Sequence, residues 1–419
     1  MIKRRLLQEL KDHLRKKEMS LIIGPRQAGK TTLMSLLQDE LNKNGENTLF
    51  LNLDIEEDRE FFSSQAKLLS KIRLEIGTKK GYIFIDEIQR KQDAGLFLKG
   101  IYDRNLPYKF IVSGSGSIEL KEKIHESLVG RKHIFELNTL SFEEFIDFKT
   151  DYRYEDRLSN FFEVEKDRTF SLLEEYLNFG GYPMVVLENE LKDKRRVIDD
   201  IFRSYLERDI SSFLKVEKLE SYYHLIRLMA NQIGNLVNYQ ELSVTLGISL
   251  PTLKNYLWYA EKTFVLHRIT PYFTNLRKEI TKSPVFYFYD LGLRNYALGV
   301  FGQLKIPYDF GFLFQNFILN ILREKLRFSG AKIHFWRTKD GAEVDFIVDS
   351  GRKQVPIEVK YQRFKKPDVS RSLTSFIKKY QPHKAFVINL SMDGIRRLDK
   401  TTIYFLPFSK FIYSPIYEL

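Results

Sequence analysis

The chain has 419 residues, and its 67 Lys and Arg against 55 Asp and Glu give a formal net charge of +12. That length exceeds one ordinary core and predicts about two to three domains, while the basic balance points to a polyanionic partner. The lack of cysteine excludes a disulfide framework and a thiolate metal site. No uninterrupted apolar stretch approaches about 18 residues, which excludes a membrane-spanning helix and makes the cytoplasm the expected location.

The basic start, Met1 to Arg5, is not followed by the apolar core of a signal peptide. Leu6, Leu7, Leu10 and Leu14 predict an amphipathic helix instead. Next, the apolar run Leu21-Ile22-Ile23 leads into Gly24-Pro25-Arg26-Gln27-Ala28-Gly29-Lys30-Thr31 and then a helix-like stretch to Leu41. This is the GxxxxGK[ST] phosphate-binding loop in its strand–loop–helix setting. Backbone N–H groups of such a loop, backed by a helix N-terminus, point at phosphate oxygens. Nucleotide contacts are therefore expected along Gly24, Pro25, Arg26, Gln27, Ala28, Gly29, Lys30, Thr31 and Thr32. Lys30 would reach the β- and γ-phosphates of ATP, and the Thr31 hydroxyl would ligate Mg²⁺.

Thr48 to Leu53 reads as one strand and Tyr82-Ile83-Phe84-Ile85 as another, the latter ending in Asp86-Glu87. Asp86 is expected to hold Mg²⁺ and Glu87 to act as general base toward water. A further strand, Phe110 to Val112, ends in Ser113-Gly114-Ser115. Ser113 or Ser115 would sense the γ-phosphate, or serve only as a helix cap. Arg131 is a candidate arginine finger, in cis or between subunits of a homo-oligomer.

From about Ser141 to Leu214 apolar residues recur at helical spacing, interrupted by the turn Gly180-Gly181-Tyr182-Pro183. This stretch reads as a helical lid or connector, with Arg208 a possible nucleotide contact. Between Tyr222 and Phe273, a helix, a second helix capped by Asn238, the turn Gly247-Ile248-Ser249 and a third helix from Pro251 form a helix-turn-helix pattern. A strand at Phe264–Ile269 would make it a winged helix, used on DNA or only for protein packing. Thr252, Lys254 and Asn255 start the recognition helix, whose single cation favours phosphate over base contacts.

In the last part, a helix from Phe312 to Phe328 precedes strands at Lys332–Arg337, Glu343–Val348 and Val355–Lys360, a helix at 368–380 and a strand at Ala385–Asn389. That order is the order of restriction-type nucleases. Asp345 can sit beside Glu358, and Glu358 and Lys360 project from one strand face. The two carboxylates can bind Mg²⁺ or Mn²⁺ while the lysine positions or activates water for attack on a phosphodiester, or the three simply form a cross-strand salt bridge.

Together these motifs resemble a prokaryotic AAA-like ATPase family that joins a P-loop domain to a winged helix and a C-terminal restriction-nuclease-like domain. The phosphate loop, Asp86-Glu87-Ile88-Gln89, Ser113-Gly114-Ser115, Gly130-Arg131 and Gly180-Gly181-Tyr182-Pro183 carry the resemblance, with Tyr289-Asp290-Leu291-Gly292-Leu293, Gly341-Ala342-Glu343-Val344-Asp345 and Ile357-Glu358-Val359-Lys360. It implies an α/β chain with an additional-strand P-loop core and a C-terminal part similar to PD-(D/E)XK nucleases. The family commonly places a glutamate where this chain has Gln315, a neutral and weaker ligand; Glu324 on the same helix is a candidate substitute.

The expected division is residues 1–140 for the ATPase core, 141–215 for the lid, 216–275 for the winged helix and 276–419 for the nuclease-like domain. Two functions follow as expectations. One is a Mg²⁺-dependent ATPase processing duplex or branched DNA through backbone contacts, with Asp345, Glu358 and Lys360 as its endonuclease centre. The other is an ATP-dependent switch that binds DNA or protein without cleavage.

Overall fold

The structure, a computed structural model, describes residues 2–115, 127–210, 219–273, 279, 282–304, 310–351 and 353–414. The side chains of Ser115 and Arg208 lie outside the described residues, so the roles expected of them are not taken further.

Strands β1 (Met19–Gly24), β2 (Thr48–Asn52), β3 (Gly81–Asp86), β4 (Tyr108–Ser115) and β5 (Lys132–Glu136) form a sheet in the order β2-β3-β4-β1-β5. Every pairing is parallel. Strands β1 and β3 are apolar along their length because both faces are covered. Alternate residues separate the two layers. Ile22, Phe84, Ile111 and Phe135 pack with Leu6, Leu10 and the Lys30–Lys43 helix, while Ile23, Ile85 and Val112 pack with Leu68 and Leu98 on the other side. The strand β4 lies between β1 and β3, which is the inserted strand that the resemblance implies. In such a sheet ligands collect at the carboxyl ends of strands where the winding reverses, here beside β1.

The rest of the chain packs around a large buried cluster and a smaller one that holds Trp336, Ile347, Phe376 and Phe405. The large cluster runs from Leu140 through Phe202, Leu225 and Tyr256 to Phe314, Ile357 and Phe411. The boundaries expected at 215/216 and 275/276 therefore fall inside continuous packing. The second is also crossed by a sheet. Strands β6 (Leu266–Pro271), β7 (Val285–Phe288), β8 (Lys332–Arg337), β9 (Glu343–Asp349), β10 (Gln354–Val359), β11 (Lys384–Asn389), β12 (Gly394–Leu398) and β13 (Thr401–Pro407) make an eight-stranded sheet ordered β12-β13-β11-β10-β9-β8-β6-β7. The strand expected at Phe264 starts at Leu266, because Phe264 takes φ 62° in a turn. β6 then pairs antiparallel with β7 and parallel with β8, through Thr270 opposite His334. The hairpin that follows the helix-turn-helix is thus built into the C-terminal sheet.

Candidate functional site

Two constellations lie at strand ends, one in each sheet. The first is the phosphate loop. Its opening Gly24 cannot be replaced, because a Cβ there would lie 2.0 Å from the Leu137 carbonyl oxygen. Gly29 closes the loop at φ 94°, a left-handed conformation that favours glycine, and the Lys30–Lys43 helix starts at once with no acidic residue in its first turn. Lys30 is buried, and its Nζ donates to the carbonyls of Gly24 at 3.0 Å and Pro25 at 2.8 Å.

Asp86 ends β3 only 1% exposed, and three groups meet its carboxylate. Thr31 Oγ1 donates to Oδ2 at 2.7 Å, the Glu87 N–H donates to Oδ1 at 3.1 Å, and the Ser113 hydroxyl also donates to Oδ1. A hydroxyl and a carboxylate already in contact are a donor pair that fits Mg²⁺. Glu87 sits at φ 55°, ψ 42°, a conformation costly for a side chain with a Cβ and common where function demands it. Burial raises its pKa, against the attraction of Lys30 and Arg26, and Gln89 donates to its carboxylate.

Lys30, Thr31 and Glu87 border a cavity of about 410 Å³, which Arg4 and Arg26 also line. Its far wall is Pro183, Met184 and Leu187, from the short helix after Gly180-Gly181, together with Ile2 and Ser204. Met184 is 47% and Leu187 43% exposed, two apolar faces suited to cover a nucleotide base. Reading the sequence treated Pro183 only as part of a turn. The available signal was the apolar run Met184 to Leu187 beginning directly after it.

Arg131 does not join this group, which corrects the expectation of a finger in cis. Its carbonyl accepts from the N–H of Met19, the first residue of β1, whereas the phosphate loop follows the last. The two ends of a six-residue strand are roughly 17 Å apart. Its guanidinium is bound to Asp103 at 2.7 Å.

Two of the spaced motifs have a packing role. Asp290 caps the Leu291–Leu298 helix through the Leu293 N–H at 2.9 Å and accepts from the Gly181 N–H at 2.8 Å. A Cβ on Gly180 would lie 2.3 Å from Asp290 Oδ1, and one on Gly292 2.0 Å from the Phe179 carbonyl oxygen. Gly180-Gly181 and Asp290-Leu291-Gly292 are therefore the two halves of one tight junction behind the wall of the cavity.

The second constellation lies where β9 meets β10. The paired register ends at Ile357 opposite Phe346, and just beyond it the expected carboxylates and Lys360 are near enough to act on one another's charge. Each is already occupied. Asp345 accepts from Gln315 Nε2 and from the Val359 N–H, both at 2.6 Å. Glu358 is paired with Lys360 Nζ at 2.9 Å and accepts from the Ser370 hydroxyl at 2.9 Å. Burial pushes the Asp345 pKa up to about 7, against the pull of Lys360 and the Val359 N–H. Burial lowers the pKa of Lys360, but Glu358 and Asp345 outweigh it and leave the ammonium firmly charged. Such a set fits a cation poorly. Among the described residues no group of three His, Asp or Glu side chains is arranged to hold a metal ion. Glu324 does not substitute: nine residues beyond Gln315 it faces the opposite side of the Phe310–Leu326 helix, toward Glu143, Glu144 and Arg5.

The helices Tyr239–Thr245 and Leu250–Lys262 flank Gly247 at φ 63°, and Ser249 caps the second through the Thr252 N–H at 3.3 Å. Lys254 and Asn255 are exposed on it and Thr252 is half-buried.

Comparison with known proteins matches three separate stretches of the chain. The family described as AAA domain matches residues 16–146, and two families described as domains of unknown function, DUF8612 and DUF4143, match residues 170–304 and 310–411. An uncharacterized protein of Mycobacterium tuberculosis is 27% identical over 369 residues, 87% of this chain and 75% of its own length. One of Methanocaldococcus jannaschii is 24% identical over 380 residues, 90% of this chain and 81% of its own. The solved structure of the Aeropyrum pernix Orc1 protein in complex with DNA is 11% identical, covering 71% of this chain and 92% of that one, at a TM-score of 0.32, too low to bear on function. The N-terminal unit is an AAA-type P-loop domain, and the chain as a whole is α/β.

Proposed function

We propose that the chain binds and hydrolyses ATP and uses the nucleotide state to control its grip on DNA. The observation that carries this reading is the meeting of Lys30, Thr31 and Glu87 at one cavity with an apolar far wall, with Asp86 bound to the Thr31 hydroxyl. Lys30 would leave the loop carbonyls for the phosphate oxygens, and Met184 and Leu187 would cover the base. Thr31 and Asp86 would hold Mg²⁺, which offsets the charge of the phosphates when bound. Glu87 would take a proton from the water attacking the γ-phosphorus as the bond to the ADP oxygen breaks. Ser113 keeps the Asp86 carboxylate turned toward Thr31.

DNA contact rests on the exposed Lys254 and Asn255 and on the net charge of +12. Backbone contacts of this kind weaken steeply as salt rises and carry little sequence preference. Gripping without cutting is favoured over cleavage because Gln315 and the Val359 N–H occupy both oxygens of Asp345. ATP turnover measured alone and with single-stranded, duplex and branched DNA tests the reading. We expect turnover to depend on Mg²⁺ and to respond to DNA at low salt; no turnover and no ATP binding would end it. Incubating wild type and Glu358→Ala with linear and branched DNA, in Mg²⁺ and then Mn²⁺, should yield no cutting by either. Cutting lost only in the variant would restore Asp345, Glu358 and Lys360 as a nuclease centre.

A further inference from the structure

The phosphate loop is held by a cation that is not part of its motif. Arg4 lies ahead of the Leu6–His13 helix and is 9% exposed. Its guanidinium uses all three nitrogens. Nη1 donates to the Ala28 carbonyl at 2.7 Å, Nη2 to the Asn138 carbonyl at 2.7 Å and more weakly to that of Thr139 at 3.4 Å, and Nε to Glu144 Oε2 at 3.2 Å. Glu144 is fixed in turn, since it accepts from the Arg5 and Ser141 N–H groups and completes the capping box of the Phe142–Lys149 helix.

The Ala28 carbonyl belongs to the same peptide unit as the Gly29 N–H. In a planar trans peptide these two groups point in opposite directions. Holding the carbonyl on Arg4 therefore fixes the Gly29 N–H on the opposite side of that peptide, as one of the loop N–H groups that receive phosphate oxygens. Gly29 at φ 94° permits that orientation but does not enforce it. The planar, forked geometry of arginine does enforce it, because four acceptors from three segments converge on one rigid group.

On the reading that the loop binds nucleotide phosphates, we propose that Arg4 is a positioning residue of that site, setting the loop in its anion-receiving form through the Ala28 carbonyl. It also borders the cavity, but all three guanidinium nitrogens are already bound to protein acceptors. Its loss should weaken ligands in proportion to what they ask of the loop, so ADP suffers and adenosine does not.

The test compares ADP and adenosine binding to the full chain by calorimetry and ligand-observed NMR. Arg4→Met alone strands the buried Glu144 carboxylate, which threatens folding. The decisive variant is Arg4→Met/Glu144→Gln, which removes that charge and keeps an acceptor for the capping box. We expect ADP affinity to fall at least about tenfold and adenosine affinity to change less than about twofold. Arg4→Lys, which keeps the charge and loses the fork, should recover only part of the ADP affinity. Unchanged ADP binding in the double variant would overturn the inference, and so would equal loss for both ligands, the mark of a merely structural residue. Full recovery in Arg4→Lys would overturn the geometric argument. A wild type that binds no ADP would sink the nucleotide reading itself, an outcome distinct from these.

Discussion

The two constellations begin alike, each with carboxylates at the end of a strand and a lysine close by, and they end in opposite states. Around Asp86 the polar groups border open volume. Lys30 rests on two carbonyls that a phosphate can outcompete, and the far wall offers apolar surface. Around Asp345 the same kinds of group are consumed by one another: Gln315, the Val359 N–H, Lys360 and Ser370 fill the acceptor positions. Residue types alone therefore do not define a reactive site. What separates the two is whether the partners are exchangeable and whether space is left for a ligand. Polar groups paired with one another stabilise the fold, whereas a lysine that can exchange loop carbonyls for a ligand beside a cavity forms a receptor.

Removing the exchangeable cation should have the largest effect. Lys30→Ala is expected to reduce ATP turnover by about a hundredfold or more, by analogy with the loss of other single transition-state contacts. The chain should remain folded, since the hydrogen bonds that the ammonium gives to Gly24 and Pro25 stay within the loop; turnover assays and circular dichroism check both halves. Near-normal turnover would mean that the cavity of about 410 Å³ is not where phosphate chemistry occurs. Glu87→Gln comes next. It should hold ATP with ordinary affinity and slow its hydrolysis on the order of 10²–10⁴-fold, the usual contribution of a general base. Wild-type turnover by this variant would show that another group orients the water.

Much of this comparison was legible in the sequence, and the gaps have physical causes. The strand Lys332–Arg337 was placed residue for residue, and β9, β10 and β11 to within one residue at each end, because alternation and turn residues are local signals. The pairing of β6 with β8 was not legible. It joins Thr270 to His334 across a long stretch of chain, and no local pattern encodes a partner. The wall formed by Met184 and Leu187 was missed for the same reason. Arg131 is different, since a usable signal was passed over. A residue just before a strand of a parallel sheet lies at the amino-terminal edge, the far side from a site built at carboxyl ends. The saturation of Asp345 could not be read at all, because it depends on the length of one side-chain contact from the Phe310–Leu326 helix.

That contact can be reversed. In Gln315→Glu a second carboxylate would stand at hydrogen-bond distance from Asp345 Oδ1, and the two cannot both ionise in such a position. The variant should lose about 0.5–3 kcal/mol of stability at neutral pH without divalent metal. Mn²⁺ should restore a larger share of its melting temperature than it adds to wild type, because binding to the folded state alone stabilises it. Thermal unfolding with and without Mn²⁺ reads this directly. Equal responses would show that the lack of a third carboxylate is not what separates the two constellations.

The smallest effect is a change in pH dependence. Asp345 has a pKa raised to about 7 from an ordinary 3.8, because burial opposes its charge. Between those values the folded chain keeps a proton that the unfolded chain has released, so this group makes stability fall as pH rises from about 4 to 7. Asp345→Asn has no charge to bury at any pH. Its oxygen can still accept from the Val359 N–H, and its amide needs an acceptor where Gln315 now donates. The Gln315 Oε1 has no hydrogen-bond partner among the described residues, so a flip of that side chain supplies one. The variant should therefore match wild type near pH 4 and unfold a few degrees higher at pH 8, the shift that ~1 kcal/mol produces in a chain of this class. Melting curves across that range decide it. A difference that stays constant with pH would place the titrating carboxyl elsewhere, and a variant that weakens toward pH 8 would mean that the ionised Asp345 is held by Lys360 more strongly than burial resists it.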